Sequence, residues 1–230
     1  MRNLGLLGCV GALILALIIG GGYFVSVRNN LVGLDEGVNQ QWAQVESQYQ
    51  RRYDLIPNLV RTVQGAANFE KSTLEAVVNA RARVGQVAAP AGPPGAGAGI
   101  TDNQNQMEQF AAAQQGLSNA LSRLLVVVKR YPELKSNQNF LELQSQLEGT
   151  ENRIAVERGR YNEVAKTYNT AVRRFPASII AGMSGFKTKA YFRGAAGSSQ
   201  APEVGFDFGT STTATTAPAV PPPTATTTTP

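Results

Sequence analysis

Histidine is absent from this sequence, and cysteine occurs only once. The 230 residues contain no histidine, which excludes the commonest general base and the commonest metal ligand of enzymes. The single cysteine, Cys9, has no second thiol in the chain with which to form a disulfide bond. Enzymes that depend on histidine and folds that depend on an internal disulfide bond are therefore excluded, and we expect no metal or other cofactor.

Charged side chains are missing from Leu4 to Val27, a run of 24 residues near the amino terminus. A membrane-spanning helix needs about 20 mostly apolar residues, because each residue adds about 1.5 Å and the hydrocarbon core is about 30 Å thick. Residues 1–28 are therefore predicted to form an uncleaved transmembrane anchor. This prediction places the protein in the cell membrane with a single pass.

Two other interpretations of this run stay open. The first is cleavage after the run, although a secretory signal peptide has a shorter apolar stretch, of about 7 to 15 residues. The second is lipidation at Cys9, because Leu6-Leu7-Gly8-Cys9 resembles a lipoprotein cleavage box. The charges that flank the run are nearly balanced, with Arg2 on one side and Arg28 on the other, so the orientation in the membrane is left undetermined.

A helical pattern begins at Leu31. Apolar residues recur from there at steps of three and four, which corresponds to one face of a helix maintained for about nine turns. The members of this face are Leu31, Leu34, Val38, Trp42, Val45, Tyr49, Tyr53, Ile56, Val60 and Val63. Because no helix breaker stands between Val27 and Leu31, the anchor is predicted to continue into this helix. Pro57 is predicted to kink the helix or to mark a junction.

A second helix and a loop follow. The helix is predicted over about Phe69–Val87, with Asn68 as its N-cap. Residues 88–99 contain only alanine, proline and glycine. A flexible loop is therefore predicted over residues 88–100.

A third helix has the most regular pattern, with steps of three and four from Met107 to Val128. Asp102 or Asn103 can cap its start, because a short polar side chain accepts hydrogen bonds from the first free N–H groups. Tyr131-Pro132 is predicted to end it.

A fourth helix has large apolar or aromatic residues at every seventh position. These are Phe140, Leu147, Ile154, Tyr161, Tyr168 and Phe175. A strict seven-residue period predicts left-handed, coiled-coil-like packing. Pro176 is predicted to stop this helix.

These patterns predict an all-α fold, since four segments show narrow apolar helix faces and none shows a strand pattern. We expect the transmembrane helix to be followed by an antiparallel, up-and-down four-helix bundle over residues 29–193. In this topology the end of the fourth helix returns to the start of the first, near the membrane. Residues 194–230 are rich in threonine, proline and alanine, and they are predicted to form a disordered tail.

Basic and aromatic residues are mixed at the end of the predicted bundle. They would suit a membrane-interface contact, with aromatic rings at headgroup depth and basic groups at the lipid phosphates. The candidate residues are Arg173, Arg174, Phe186, Lys187, Lys189, Tyr191 and Arg193. The alternative is a chain end that packs on the bundle with solvated charges. The net charge of +5 suits an anionic lipid surface, and no nucleic-acid partner is expected because no such module is present.

Small residues form a ridge along the anchor at every fourth position, Gly8, Ala12, Ala16 and Gly20. Close approach of two membrane helices uses this spacing, so the ridge predicts packing into a homo-oligomer. The alternative is coincidence in a span rich in glycine and alanine.

Polar residues crowd the two longest predicted helices, and Arg52, Asp54 and Glu151 are the candidates for an unrecognised enzyme site. A catalytic interpretation requires a paired base, a nucleophile or a bound metal, and none of these can be recognised in the sequence. The structural interpretation is a set of interhelical ion pairs and amide contacts that fix the helix register. We favour the structural interpretation and predict no catalytic residue.

Several motifs, in their order along the chain, resemble the bacterial LemA family from about Leu31 to Phe192. The matching segments are Gln48-Tyr49-Gln50-Arg51-Arg52, Asp54-Leu55-Ile56-Pro57-Asn58-Leu59-Val60, Tyr131-Pro132-Glu133-Leu134-Lys135, Asn137-Gln138-Asn139-Phe140, Glu148-Gly149-Thr150-Glu151-Asn152-Arg153-Ile154-Ala155 and Arg174-Phe175-Pro176. The resemblance implies one N-terminal membrane helix followed by an antiparallel helical bundle. It also implies no established catalytic activity.

The function expected from these observations is that of a non-enzymatic, membrane-tethered scaffold that binds other proteins or the bilayer. Its expected partners are the lipid bilayer, membrane or envelope proteins, and a second copy of the chain. Two alternatives are kept: an enzyme or enzyme subunit with a site on the bundle, and a membrane-remodelling protein.

Overall fold

The computed structural model describes residues 2–66, 69–88 and 98–194, and all the regular structure in these ranges is helical. The helices are α1 Arg2–Gln64, α2 Lys71–Ala88, α3 Ala98–Thr101, α4 Gln104–Val128, α5 Pro132–Lys135, α6 Gln138–Arg173 and α7 Ala177–Ser184. The all-α prediction is confirmed. The predicted cap at Asn68, the centre of the predicted loop and the tail beyond Gly194 lie outside the described residues.

Helix α1 is continuous from Arg2 to Gln64 and carries the apolar run at its amino-terminal end. It is long and apolar enough to cross a membrane, and the other described residues cover none of its most apolar part. Its 63 residues correspond to a rod of about 95 Å. The prediction that the anchor continues into the first bundle helix is confirmed.

Pro57 lies inside α1 and does not end it, so the predicted junction at this position is not observed. Proline has no N–H, and the carbonyl of Tyr53, one turn earlier, therefore loses its usual helix partner. Arg81 of α2 compensates, because its Nε donates to this carbonyl at 3.3 Å. The Arg81 guanidinium also lies 3.7 Å from the centre of the Tyr53 ring. A side chain from the neighbouring helix thus satisfies the group that the proline leaves free.

The four long helices contact each other in two main pairs, α1 with α6 and α2 with α4. Helices α1 and α6 run in opposite directions, since Gln41 contacts Glu157 whereas Arg52, further along α1, contacts Glu151, which comes earlier in α6. Arg52 also bonds Ser118 of α4. Helices from different pairs therefore share one interior.

The apolar interior has two parts. The part nearer the anchor is aromatic, with Trp42, Tyr49, Phe110 and Tyr161 in edge-to-face contacts at centroid distances of 5.1–5.7 Å. The part further from the anchor is mainly aliphatic, and its fully buried members include Ile56, Leu59, Val63, Val77, Leu117 and Leu124. Every residue of the first predicted apolar face is buried in one of these parts or packs against it.

The first five positions of the seven-residue ladder in α6 are buried, from Phe140 to Tyr168. The sixth, Phe175, is 77% exposed. It does not continue the buried ladder, because α6 ends at Arg173 and the chain has left the helical register before Phe175. Burial of the other five positions is what a core-facing helix requires.

Short polar side chains define two of the helix starts. Asn103 caps α4 and accepts from the backbone N–H groups of Asn105 and Gln106, as one of the two predicted alternatives. Asn137 caps α6 in the same way and accepts from Phe140. Three short helices, α3, α5 and α7, were not predicted. Residues 98–100, placed in the flexible loop by the sequence, are instead the start of α3.

Candidate functional site

A buried guanidinium joins three helices at Arg52, which is 2% exposed. Its Nη1 donates to Glu151 Oε2 of α6 at 2.6 Å and to Ser118 Oγ of α4 at 2.9 Å. Its Nη2 donates to the buried carbonyl oxygen of Gln114, also in α4. Arg52 and Glu151 were two of the candidates that the sequence offered for an enzyme site, and the structure places them in contact.

Asp54, the third predicted member of this site, lies elsewhere. It is exposed on α1 and accepts from Gln50 at 2.9 Å within the same helix. The described parts of the chain contain no group of three or more carboxylate or thiol side chains that could hold a metal ion. The Arg52 cluster is therefore an ion pair with two neutral hydrogen-bond partners, and its geometry suits the fixing of helix register.

The Arg52 cluster is completed by Tyr49, one helical turn earlier. The Arg52 guanidinium lies 5.2 Å from the centre of the Tyr49 ring. Burial raises the pKa of the Tyr49 phenol, and the positive charges of Arg158 and Arg52 oppose this rise. Two polar atoms here, Arg52 Nε and Gln48 Oε1, are buried without a protein partner among the described residues.

The second polar assembly is formed by the C-terminal strap, which we define as residues 186–193. Three side-chain amides pair with its backbone in two-point contacts, each accepting from one N–H and donating to the C=O of the same residue. Asn169 pairs with Lys189 at 2.7 and 2.8 Å, Gln104 with Tyr191 at 3.1 and 3.2 Å, and Asn162 with Phe192 at 2.9 and 2.8 Å.

Ala190, the remaining residue between 189 and 192, also has both of its backbone polar groups paired, but with two different residues. Its N–H donates to the carbonyl of Thr101 at 2.6 Å, and its own carbonyl accepts from the Tyr161 hydroxyl at 3.0 Å. Every backbone polar group from residue 189 to residue 192 therefore has a partner in α3, α4 or α6. An extended segment without a neighbouring strand lacks the backbone hydrogen bonds of a β-sheet, and these groups supply hydrogen bonds in their place.

Lys189 is the charged centre of the strap, and it is 7% exposed. Its Nζ lies 2.8 Å from Asp35 of α1 and 2.8 Å from Asp102, just before α4. Burial lowers the pKa of Lys189, but hydrogen bonds to Asp102 and Asp35 outweigh this effect and raise the pKa above its ordinary value of 10.5. The ammonium is thus fixed between two carboxylates inside the protein.

The far end of the strap lies deep in the aromatic part of the core. Phe192 is stacked on Trp42 with ring centroids 5.9 Å apart, and Arg158 covers its ring at 4.6 Å. Trp42 follows the last residue of the apolar run, Val27, by 15 residues, which is about 22 Å along a helix. The strap therefore runs away from the anchor along the bundle.

These contacts divide the predicted membrane-interface residues into two groups. Lys189 and Tyr191 are held in the strap, and Arg193 pairs with Glu108 of α4 at 3.2 Å. Phe186 is partly buried against the aromatic core. These contacts are those of a chain end that packs on the bundle, because the ion pairs of Lys189 and Arg193 are formed with α1, with the loop before α4 and with α4 itself. A membrane-interface role for the four residues stays a prediction.

The other group consists of Arg173, Arg174 and Lys187, which are exposed and have no ion pair among the described residues. Arg173 lines a cleft of about 390 Å³ beside the strap. Arg174 lines a different cleft, of about 610 Å³, between the end of α6 and the anchor-proximal part of α1. Tyr23 and Val27 form the opposite wall of that second cleft.

An apolar stripe that the sequence analysis missed lies next to Arg174. Phe175, Ile179 and Met183 are 77%, 57% and 75% exposed, and their four-residue spacing places Ile179 and Met183 on one face of α7. The opposite face of α7 holds Ile180 and Ala181, which are buried. The exposed spacing could have been read from the sequence once a helix was recognised between Pro176 and Gly185.

The predicted ridge of small residues lies on the uncovered part of α1. Ala12 and Ala16 are exposed, and a side chain added at Gly20 would meet no atom within 4 Å. The surroundings of Gly8 lie outside the described residues. Packing through this ridge stays a prediction.

Comparison with known proteins was made on the sequence. Magnetosome protein MamQ 2 and magnetosome protein MamQ 1 of Paramagnetospirillum magneticum are each 30% identical to the chain over 175 residues, covering 72% of this chain and 64% of the relative. Magnetosome protein MamQ of Magnetospirillum gryphiswaldense is 29% identical over 174 residues, with 71% and 64% covered. The chain thus spans about 64% of the length of these curated relatives.

The sequence profile of the LemA family matches residues 41–206. This range begins just before Trp42 in α1 and includes the Arg52 cluster, the whole of α6 and the C-terminal strap. The bundle from residue 41 onward, with the Arg52 cluster and the strap, therefore carries the match, whereas Asp35 of the Lys189 assembly precedes it. By this match, which extends over more than half of its length, the chain belongs to the LemA family.

Proposed function

We propose that this protein is a single-pass, membrane-anchored scaffold without enzymatic activity, whose up-and-down four-helix bundle binds other membrane or envelope proteins. The observation that carries the proposal is the continuity of α1, which joins the apolar span to the bundle in one helix. A protein bound to the bundle would be held at a fixed distance from the bilayer.

The polar interior supports a structural role over a catalytic one. The charged groups of both assemblies point at each other: Arg52 at Glu151, and Lys189 at Asp35 and Asp102. An enzyme site needs charged groups that converge on a space large enough for a substrate. Here the charged groups are paired with each other instead: Glu151 accepts from Arg52 at 2.6 Å, and Asp102, which lines the cleft beside the strap, accepts from Lys189 at 2.8 Å.

Docking of another protein is supported by apolar residues on the outer surface of the bundle. Val126 of α4 is 62% exposed and Val156 of α6 is 51% exposed. The test is site-specific photo-crosslinking from Val156 in native membranes, with Arg52→Gln and Arg51→Gln as the matched pair. If the bundle is a scaffold, both variants capture the same partners as long as they stay folded, and capture is lost only if Arg52→Gln unfolds the bundle. If no protein is captured, and a folded Arg52→Gln variant loses a reaction that the parent catalyses, the bundle is an enzyme.

A membrane-remodelling role is the second candidate function. The observation that favours it is the exposed apolar stripe of α7 beside the anchor, since wedge-like apolar helices at the lipid surface are typical of proteins that act on membranes. The relatives are described only as magnetosome proteins, which gives no molecular mechanism. Vesicle deformation by the full-length chain, absent after Ile179→Glu with Met183→Glu, would select this candidate.

We further propose that two copies of the chain associate through the ridge of small residues on the anchor. Crosslinking through Cys9, the only thiol in the chain, tests it directly. A Cys9–Cys9 dimer that is lost in Ala12→Leu with Ala16→Leu would support pairing of two anchors.

A further inference from the structure

We propose that the cleft between α1 and the α6–α7 turn binds the headgroup of an anionic phospholipid, with the α7 stripe in the same leaflet. This proposal rests on the membrane anchoring proposed above and names the lipid that the anchored protein would hold. Its volume of about 610 Å³ lies within the range of small-molecule sites, about 300 to 1,000 Å³.

The depth of the cleft is fixed by covalent structure. Tyr23 and Val27, which line it, belong to the same continuous helix as the apolar span and lie at its end. Arg28, the first charged residue after the span, comes directly next. Tyrosine and arginine at the end of a spanning segment mark the boundary between hydrocarbon and headgroups. The cleft therefore opens at headgroup level.

The charge of the cleft suits an anion. Arg174 supplies a guanidinium, and the cleft-lining residues include no aspartate or glutamate. Arg174 forms no ion pair within the described ranges, while Asp35, the first carboxylate of α1 after the apolar run, is engaged by Lys189. A guanidinium forms two parallel hydrogen bonds with a phosphate group. Ser26 and Asn30 of α1 add polar side chains to the lining of the same cleft.

The apolar parts of a lipid also find a counterpart here. Phe175 lines the cleft and is 77% exposed, and it continues into the stripe formed by Ile179 and Met183. These side chains face away from the buried side of α7, where Ala181 packs against the core that contains Leu31. Apolar residues exposed beside a membrane span are covered by acyl chains when the span is inserted.

The first experiment measures lipid binding by the full-length chain purified in neutral detergent. The probe is a fluorescent phosphatidylglycerol, with phosphatidylcholine as the neutral comparison. Arg174→Gln removes the charge in the cleft, and Arg173→Gln is the matched control because its side chain lines the other cleft. We expect Arg174→Gln to weaken phosphatidylglycerol binding about tenfold, which corresponds to one charge-assisted contact, and Arg173→Gln to change it less than about twofold.

Four outcomes would overturn the proposal: unchanged binding in Arg174→Gln, equal losses in both variants, equal binding of phosphatidylcholine, and displacement of the lipid by inorganic phosphate. The last would assign the cleft to a free anion. Helix content measured by circular dichroism confirms that each variant is folded.

The second experiment measures depth in vesicles that contain phosphatidylglycerol. A fluorophore is attached at Met183→Cys in a Cys9→Ala background, and the control label is placed at Val156→Cys, which is exposed on α6 far from the anchor. We expect lipid-borne quenchers to act on position 183 and water-soluble quenchers on position 156. Equal quenching at both positions contradicts the proposal. Release of the whole chain from vesicles at alkaline pH would instead contradict the anchoring itself, so the two failures are distinguishable.

Discussion

At the scale of the residue, one buried guanidinium connects α1, α4 and α6. Glu151, its charged partner, has a side chain that is 52% exposed, so solvent screens the attraction within the pair. The larger effect is the cost of burying Arg52 without an opposite charge. Arg52 is therefore important for the register of three helices even though its salt bridge is partly in water.

Replacement of Glu151 by glutamine should destabilise the bundle by about 3 kcal/mol, because it leaves a buried charge without a counter-charge. Arg51→Gln, at an exposed neighbouring position, should change the free energy of unfolding by less than about 0.5 kcal/mol. Chemical denaturation of the full-length chain in detergent, followed by circular dichroism, measures both. Equal effects of the two substitutions would show that the Arg52 cluster is not a structural centre.

Three buried groups make the protein sensitive to alkaline pH. Burial raises the pKa of Tyr161 and of Tyr168 above the ordinary 10.0, and the paired Lys189 also has a raised pKa. The unfolded chain loses these protons at lower pH than the folded chain does. Stability is thus fully present below about pH 10 and falls as the pH rises further.

Tyr168→Phe removes one of these protons. It should reduce the slope of the unfolding free energy against pH, between pH 10 and pH 12, by about 1.4 kcal/mol per pH unit. The measurement is denaturant unfolding at several pH values, with pH 7 as the internal control, where the variant should follow the parent closely. Identical slopes for variant and parent would contradict the assignment.

At the scale of the element, the C-terminal strap is held by side chains that imitate a β-ladder. Asn169→Ala removes both bonds to Lys189 and leaves a buried N–H and C=O without partners, at a cost of about 2 kcal/mol. Hydrogen exchange of residues 189–192 should accelerate while the amides of α6 stay protected. Asn152→Ala, on the exposed face of the same helix, is the control. Uniform acceleration in both variants would argue against a local clamp.

Two glycines weaken the long helices without any packing role. A methyl group added at Gly33 of α1 or Gly159 of α6 would meet no atom within 4 Å. Replacement of each by alanine should therefore stabilise the bundle by about 0.5 to 1 kcal/mol, the usual helix-interior difference. Gly85→Ala is the comparison, since an added methyl would lie 3.4 Å from the Tyr53 hydroxyl. Thermal unfolding in detergent measures all three.

The sequence predicted the long helices well because their burial is periodic. Leu31, Val38 and Trp42 are spaced by helical steps, and all three are buried, so pattern alone located this face. The contacts of the strap could not be predicted in this way, because their partners lie far away in the sequence. Lys189 bonds Asp102 across 87 positions, and nothing in the sequence distinguishes a clamping asparagine such as Asn169 from an exposed one. The sequence pattern therefore left two interpretations of Lys189 open, a membrane contact and a chain end packed on the bundle.

At the scale of the whole molecule, the anchor and the bundle share one helix. The strap, α6 and α7 all pack against the part of α1 that follows the apolar span. At this end of the bundle α7 packs on α1, and the cleft lies between α1 and the turn from α6 to α7. A force or a tilt applied to the anchor would reach the bundle through α1 without an intervening linker.

The rigidity of this connection can be measured as a distance. Nitroxide labels at Val25→Cys and Gln40→Cys, in a Cys9→Ala background, are separated by 15 residues of α1, or about 22 Å of helix. In bilayer nanodiscs, double electron–electron resonance should give one narrow distribution of the distance between the two labels, centred near this value. Asn29→Pro removes a helix bond between the labels and should broaden the distribution, because a proline in a helix interior kinks or breaks the helix at a cost of about 3 kcal/mol. A broad distribution in the parent would mean that the bundle moves independently of its anchor, and the bundle would then not hold its partners at a fixed height above the bilayer.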